Sequence, residues 1–306
     1  MAFNSRPTWR QLLDRDKPLV LPGAYDALTA RMIERAGFSA YVIGGFPVVG
    51  ARYGVPDIGL CGLGEISAGM RDIMAANSLP VLIDADDGYG DVKNVTRTIR
   101  LYEQMGAAAI FMEDQVSPKR CGHMEGKAVV PIETMERKIR AAVAARDSSE
   151  TFLIARTDAR AIEGLEGALR RADRYVRAGA DGIFIEAPLS IDELERIGRE
   201  VDVPQMCNML AGGRTPILTN RELSQMGFDM VVHGITLVMQ AAKLFREASR
   251  LSRRIGSTTV RQAPRRSMNS RKSWAFTNGL KSRIDSTGKS PLSETMLRIV
   301  KKFTSI

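Results

Sequence analysis

The chain has 306 residues, 44% of them hydrophobic, which is enough for one large core, and no run approaches the roughly eighteen uninterrupted apolar residues of a membrane helix. Its net charge of +9 is a tail effect: residues 246–306 carry fifteen Lys/Arg against three Asp/Glu, a net +12 that leaves residues 1–245 at −3. Cys61, Cys121 and Cys207 lack metal-ligand spacing and exclude a disulfide framework or zinc site, and the start MAFNSRPTWRQLLDRDK has no apolar signal centre, so a cytoplasmic protein is expected.

Eight apolar runs of strand length follow one another: LVLPG at 19–23, AYVIGG at 40–45, PVLIDAD at 80–86, AAIFMED at 108–114, TFLIART at 151–157, GIFIEA at 182–187, PQMCNM at 204–209 and DMVVHG at 229–234. Four are preceded by a small-residue turn, Ala36-Gly37-Phe38, Met105-Gly106-Ala107, Ala178-Gly179-Ala180 and Met226-Gly227-Phe228, where glycine suits the left-handed close of a helix. Helical periodicity lies between the runs, as in Val95, Ile99 and Tyr102 or from Ile132 to Ala145. Repeated βα units predict a buried parallel sheet, and eight of them a single (β/α)8 TIM barrel over residues 1–252, with 253–306 a basic, partly helical extension. A doubly wound open sheet is the alternative, but Gly44-Gly45 lacks the further spaced glycine of a dinucleotide fingerprint.

Polar residues gather at the ends of these runs. Gly44-Gly45, Asp84, Asp86, Glu113, Arg156, Glu186, Asn208 and His233 each end or closely follow one, and a parallel barrel collects all eight ends around one mouth. Oxygen ligands in that number suit a hard cation such as Mg²⁺. Alternate residues of a strand share a face, so Asp84 and Asp86 are expected to converge on one ion while Asp87 points elsewhere. The segment EDQVSPKRCGH, 113–123, continues as MEGKAVVP and reads as a long loop. Lys119, Arg120 and His123 around Cys121 favour its thiolate or set it against an anionic substrate, as in a lid.

The motifs PGAYDALTARMIERAGF, YGVPDIG, DADDGYG, EDQVSPKRCGH, ARTDA, IFIEAP and NMLAGGRTP, in this order, resemble the isocitrate lyase and phosphoenolpyruvate mutase superfamily over residues 7–250. The KRCGH loop is similar to that of 2-methylisocitrate and dimethylmalate lyases. The resemblance implies Mg²⁺, or Mn²⁺, held by a shell of Asp57, Asp84, Asp86 and Glu113, with Asp84 the direct ligand. It implies substrate contacts from Gly44, Gly45, Arg120, Gly122, Glu186 and Asn208, with Arg156 on the pyruvate-like part and Lys119 and His123 attracting carboxylates. Cys121 is the implied general acid; Tyr41 and a metal-linked water are the candidate bases. The expected activity is carbon–carbon cleavage of a 2-hydroxy di- or tricarboxylate to a 2-oxo acid such as pyruvate, in a homotetramer. Oxaloacetate hydrolysis or decarboxylation and a phosphonate-forming mutase reaction are the alternatives.

Two departures bear on the substrate. Ile43 stands where related lyases have a serine before paired glycines, and VVHGIT replaces their usual YPLS, which makes His233 either a substrate contact or a structural residue. In the tail, RRIGSTTVRQAPRRSMNSRKSW carries no groove-reading motif, so nucleic acid is not expected as a partner; Trp274, Phe276 and the run 292–303 fit one amphipathic helix.

Overall fold

The protein is described by a computed structural model covering residues 6–122 and 126–259. Each apolar run forms a strand: β1 Leu19–Pro22, β2 Tyr41–Ile43, β3 Val81–Asp84, β4 Ala109–Glu113, β5 Phe152–Thr157, β6 Gly182–Ile185, β7 Gln205–Asn208 and β8 Met230–His233. They pair in parallel in the order β1-β8-β7-β6-β5-β4-β3-β2. A parallel bridge between Gly23 and Val42, with the Ala24 N–H donating to the Val42 carbonyl at 2.9 Å, brings β1 back against β2. The sheet is therefore a nearly closed (β/α)8 barrel and not an open doubly wound sheet.

The helices are α1 Trp9–Arg15, α2 Ala27–Arg35, α3 Gly45–Tyr53, α4 Leu63–Ala75, α5 Val92–Gln104, α6 Ile132–Ala145, α7 Arg160–Arg177, α8 Ile191–Glu200, α9 Asn220–Gln225 and α10 Thr236–Thr259. Four helix-to-strand junctions close on the expected left-handed glycines, with φ of 83° at Gly37, 93° at Gly106, 107° at Gly179 and 100° at Gly227. Nothing lies within 4 Å of a Cβ built at Gly37 or Gly106, so at these two positions the backbone conformation, not crowding, calls for glycine.

Alternation along the strands divides the core into two layers. Leu19, Leu21, Val42, Leu82, Phe111, Ile154, Phe184, Met206 and Val232 fill the barrel, and Trp9, Leu12 and Leu13 of α1 join them. Tyr41, Ile43, Ile83, Ile110, Ala155, Ile183, Cys207 and Val231 face the helices instead. Extending the inward parity by one step past the apolar layer gives Asp84, Glu113, Arg156, Glu186 and Asn208. The same parity sends His233 outward.

Residues Met1–Leu251 form one compact unit and Ser252–Ile306 another, of which only the end of α10 is described. The expected tail helix, with Trp274 and Phe276, lies outside the described residues. No described helix is long and apolar enough to cross a membrane.

Candidate active site

The inward polar side chains meet above the barrel core in a cavity of about 100 Å³. Val42, Phe111, Phe184, Met206 and Val232 make its floor, and Asp57, Asp84, Glu113, Lys119, Arg120, Cys121, Gly122, Arg156, Glu186 and Asn208 line it. Phe46, Pro47, Leu210 and Ile235, from the ends of other loops, give it an apolar wall.

Lys119 is the centre of the acidic half. Its Nζ lies 2.6 Å from Asp57 and 2.7 Å from Asp86, with both carboxylates almost fully buried. Burial opposes the ammonium, but Asp86, Glu113, Asp84 and Asp57 outweigh it and raise its pKa. Burial also pushes Asp86 up to about 7, an effect that Lys119 opposes and Asp84 and Asp57 reinforce. Glu113 is raised well above the usual carboxylate range, again chiefly by burial.

Asp84 ends β3 inside the barrel; its Oδ1 accepts the Asp86 N–H and its Oδ2 the Gly45 N–H, both at 2.9 Å. Strand geometry stops there, and Asp86 takes a left-handed φ of 47°. The two carboxylates still converge near Gly45, but through a tight turn and not through the strand alternation expected for them.

Arg156 organises the other half. Glu113 lies beside it in the β4–β5 register and reaches its Nη1 at 3.1 Å. Asp158 accepts from Nε at 2.9 Å and from Nη2 at 3.2 Å, Glu186 stands 3.6 Å from Nη2, and the guanidinium sits 5.3 Å from the Phe184 ring centre. Burial works against this charge, but Asp158, Glu113 and Glu186 overcome it and raise the pKa well above the ordinary arginine value. A cation fixed in this way is preorganised for a carboxylate.

The long loop after β4 is tied at its base by short antiparallel pairing: a Gln115–Val129 bridge, the Val116 N–H on Ala128 and the Val130 N–H on Asp114. Gln115 further holds Arg120, accepting its N–H at 2.9 Å and donating to its carbonyl at 2.8 Å. The loop thus carries Lys119, Arg120, Cys121 and Gly122 to the cavity. Gly122 packs so closely there that a Cβ would overlap Arg156 and Glu186. His123 lies outside the described residues.

Three sequence expectations need correction. Tyr41 is buried on the outer face of β2 among helix side chains, its hydroxyl pKa raised by burial, and does not line the cavity, so it is not the base. Ile43 shares that outer face, so its missing hydroxyl is no loss to the site. His233 also points out of the barrel, with Nε2 3.4 Å from Asn220 Oδ1 and its pKa lowered by burial; it is structural and not a substrate contact. Of the paired glycines, Gly44 caps α3 and lines the cavity, whereas the Gly45 N–H is already taken by Asp84. Asp158, Lys127 and Gln115 were not anticipated, although Asp158 lies inside the ARTDA motif, two residues after Arg156, and Gln115 inside EDQVSPKRCGH.

The donor set fits a hydrated divalent cation. Among the described residues, Asp57, Asp84, Asp86, Glu113, Asp158 and Glu186 lie with Lys119, Lys127, Arg156 and Arg120, a formal excess of two negative charges. Glu113 Oε1 and Asn208 Oδ1 are buried without a hydrogen-bond partner among the described residues. No three His, Cys, Asp or Glu side chains among them converge closely enough to enclose an ion. The acidic excess and the two unpartnered oxygens suit a hard divalent cation such as Mg²⁺.

Comparison with known proteins gives a consistent set. The family model described as "Phosphoenolpyruvate phosphomutase" matches residues 9–252. The chain is 42% identical over 259 residues to the petal death protein of Dianthus caryophyllus, covering 84% of this chain and 81% of that one. It is 42% identical over 241 residues to 2,3-dimethylmalate lyase of Eubacterium barkeri (79% and 83% covered) and 43% identical over 225 to 2-methylisocitrate lyase of Shewanella oneidensis (74% and 77%). Among solved structures, a 2,3-dimethylmalate lyase superposes with a TM-score of 0.78 at 36% identity, covering 81% of this chain and 84% of that one. Oxaloacetate acetylhydrolase in complex with 3,3-difluorooxalacetate superposes at 0.76 and 32% (78% and 83%), and phosphonopyruvate hydrolase in complex with oxalate and Mg²⁺ at 0.72 and 31% (81% and 86%).

Proposed function

The chain belongs to the phosphoenolpyruvate mutase/isocitrate lyase family, and from that premise we propose that it is a divalent-metal-dependent carbon–carbon lyase acting on a small 2-hydroxy dicarboxylate. The observation that carries this reading is the meeting of the fixed Arg156 cation, the carboxylates around Lys119 and the Cys121–Gly122 segment in one small cavity.

Cleavage begins with loss of the 2-hydroxyl proton; the electron pair closes a 2-oxo group as the adjacent C–C bond breaks, and the departing half leaves as an enolate. Arg156 holds the carboxylate of the half that becomes the 2-oxo acid. Lys119 offsets charge on the acidic side, and the Cys121 thiol, brought over the site by the loop, protonates the enolate carbon. With Tyr41 outside the cavity, the first proton goes to a cavity oxygen, where Asp57, Asp84, Glu113 and Glu186 stand. Asp84, with Asp57, Asp86 and Glu113, would hold a divalent cation such as Mg²⁺, which would supply Lewis-acid stabilisation of oxyanion charge.

Wall chemistry favours an alkyl-bearing dicarboxylate such as 2,3-dimethylmalate over the tricarboxylate 2-methylisocitrate. The wall of Phe46, Pro47, Leu210 and Ile235 fits alkyl groups.

Pyruvate release from 2,3-dimethylmalate, 2-methylisocitrate and oxaloacetate tests this, each with Mg²⁺ and with EDTA and against a no-enzyme blank. Expected is metal-dependent cleavage of dimethylmalate, abolished in Cys121→Ser. Turnover of oxaloacetate alone, read as pyruvate for decarboxylation and as oxalate for hydrolysis, or activity indifferent to Cys121, overturns the lyase and favours the decarboxylase or the hydrolase.

A further inference from the structure

Lys127 lies beyond the KRCGH motif, yet its side chain is only 3% exposed. Its Nζ donates to the Gly122 carbonyl and, at 2.7 Å, to Asp158 Oδ1. Asp158 is wholly buried, and the same Oδ1 accepts from Arg156 Nη2. Arg156 Nη2 in turn is the group against which Gly122 packs, so four residues form a closed circuit: loop backbone, Lys127, Asp158, Arg156. A lysine sealed from water with two of its three donors spent on the Gly122 carbonyl and Asp158 is a costly arrangement, and it spans the seam between the loop and the barrel.

We infer that Lys127 is a positioning residue that fastens the Cys121–Gly122 segment over Arg156, so that seating of the loop and orientation of the carboxylate-holding guanidinium are one event. This rests on the reading of the cavity as a catalytic site. Lys127 is not itself among the residues that line the cavity. It acts through the Gly122 carbonyl, which sets where the Cys121 thiol stands, and through Asp158, which sets where the Arg156 fork points.

The coupling has a consequence that packing alone does not. When Lys127 is lost, the Gly122 carbonyl has no buried cation to hold it and Asp158 turns wholly to Arg156; the loop then leaves the site more often while the barrel stays folded. The test is Lys127→Met, with Lys127→Arg as rescue, read by the rate at which iodoacetamide modifies Cys121, followed on its own peptide by mass spectrometry so that Cys61 and Cys207 do not interfere. Expected is an increase of about tenfold or more, the size of one charge-assisted hydrogen bond removed from the seated state, largely reversed in Lys127→Arg. The kcat for cleavage falls more than KM rises, because substrate still meets Arg156 while Cys121 is less often in place. Should Lys127→Met not fold, Lys127→Gln, which keeps a donor but not the charge, is compared in the same way. Alkylation within twofold of wild type in a folded variant overturns the inference, as does a lowered melting temperature with unchanged Cys121 reactivity. If the wild-type chain cleaves no acid, the lyase reading fails on its own and the alkylation comparison still decides the role of Lys127.

Discussion

Asp158→Asn removes one charge and almost no volume from a buried ion cluster of the barrel. The carboxylate is 0% exposed and serves Arg156 through two oxygens and Lys127 through one. Removing one partner of a buried pair costs about 3–5 kcal/mol, because the remaining charge stays out of water. Asn keeps one oxygen that accepts from a cation, which returns about 1.5 kcal/mol, but its amide N–H₂ then faces a second donor. The expected loss is therefore about 2–4 kcal/mol. For a domain of this size each 1 kcal/mol moves the midpoint by roughly 2–4 °C, so thermal unfolding followed by circular dichroism should show a drop of roughly 5–15 °C. Arg156 is left with Glu113 at 3.1 Å and Glu186 at 3.6 Å and pivots toward them. A displacement of about 1 Å in a substrate-holding group costs about a hundredfold, and kcat/KM for pyruvate release should fall by that order. A variant within 1 kcal/mol of wild-type stability and within threefold of its activity would show that Asp158 does not hold Arg156 in place, and the argument from the buried ion cluster would be wrong.

Three further outcomes follow from the same geometry. Gly122→Ala places a methyl group into Arg156 and Glu186, so kcat/KM should drop about tenfold or more with the melting temperature unchanged, since the strain is relieved by leaving the loop unseated; full activity would mean the glycine is not close-packed in the working enzyme. Tyr41→Phe should retain kcat within about threefold across the pH profile, because the ring lies on the outer face of β2, and a loss of a thousandfold would restore Tyr41 as the base. His233 is held below its ordinary value of 6.5 by burial, so the unfolded chain binds its proton more readily. Its contribution to stability is complete above about pH 6.5 and is lost as pH falls toward the lower folded value. Urea midpoints of His233→Gln measured from pH 7.5 to 5 should therefore decline less steeply than wild type, and parallel curves would rule the histidine out as a source of acid sensitivity.

The barrel was legible because its punctuation is physical. A glycine at φ near +100° closes a helix only where the next strand begins, and Gly37, Gly106, Gly179 and Gly227 did so where small-residue turns precede apolar runs. The polar residues at the far ends of those runs had no role in a core, which is why Asp84, Glu113, Arg156, Glu186 and Asn208 could be named together from one strand-end rule. The loop carried its own signal in Lys119 to Gly122, and the cavity does receive those residues. Asp158 stood inside ARTDA, but its pairing with Lys127 carried no signal, since the two are 31 positions apart and meet only because the loop folds back across the mouth.

What the sequence hid was phase. A strand in a parallel barrel is covered on both faces, so its apolar run has no alternation to show which residue looks inward. In VVH, Val231 and Val232 are both buried and equally hydrophobic, yet one faces helices and the other the cavity; nothing local tells His233 which side is its own. The same blindness made Tyr41 and Ile43 look like site residues when Val42 between them is the one that lines the cavity. The phase is set from outside the strand, by which neighbours fit, and it can be recovered only by counting from a residue whose side is already known. Glu113 and Arg156 supply that anchor: two opposite charges adjacent in the β4–β5 register can be buried together only by facing each other inside. Asp86 marks where counting ends. One residue past the strand the left-handed turn breaks the period of two, and its carboxylate arrives at Lys119 through that turn, which the alternation along β3 could not foretell.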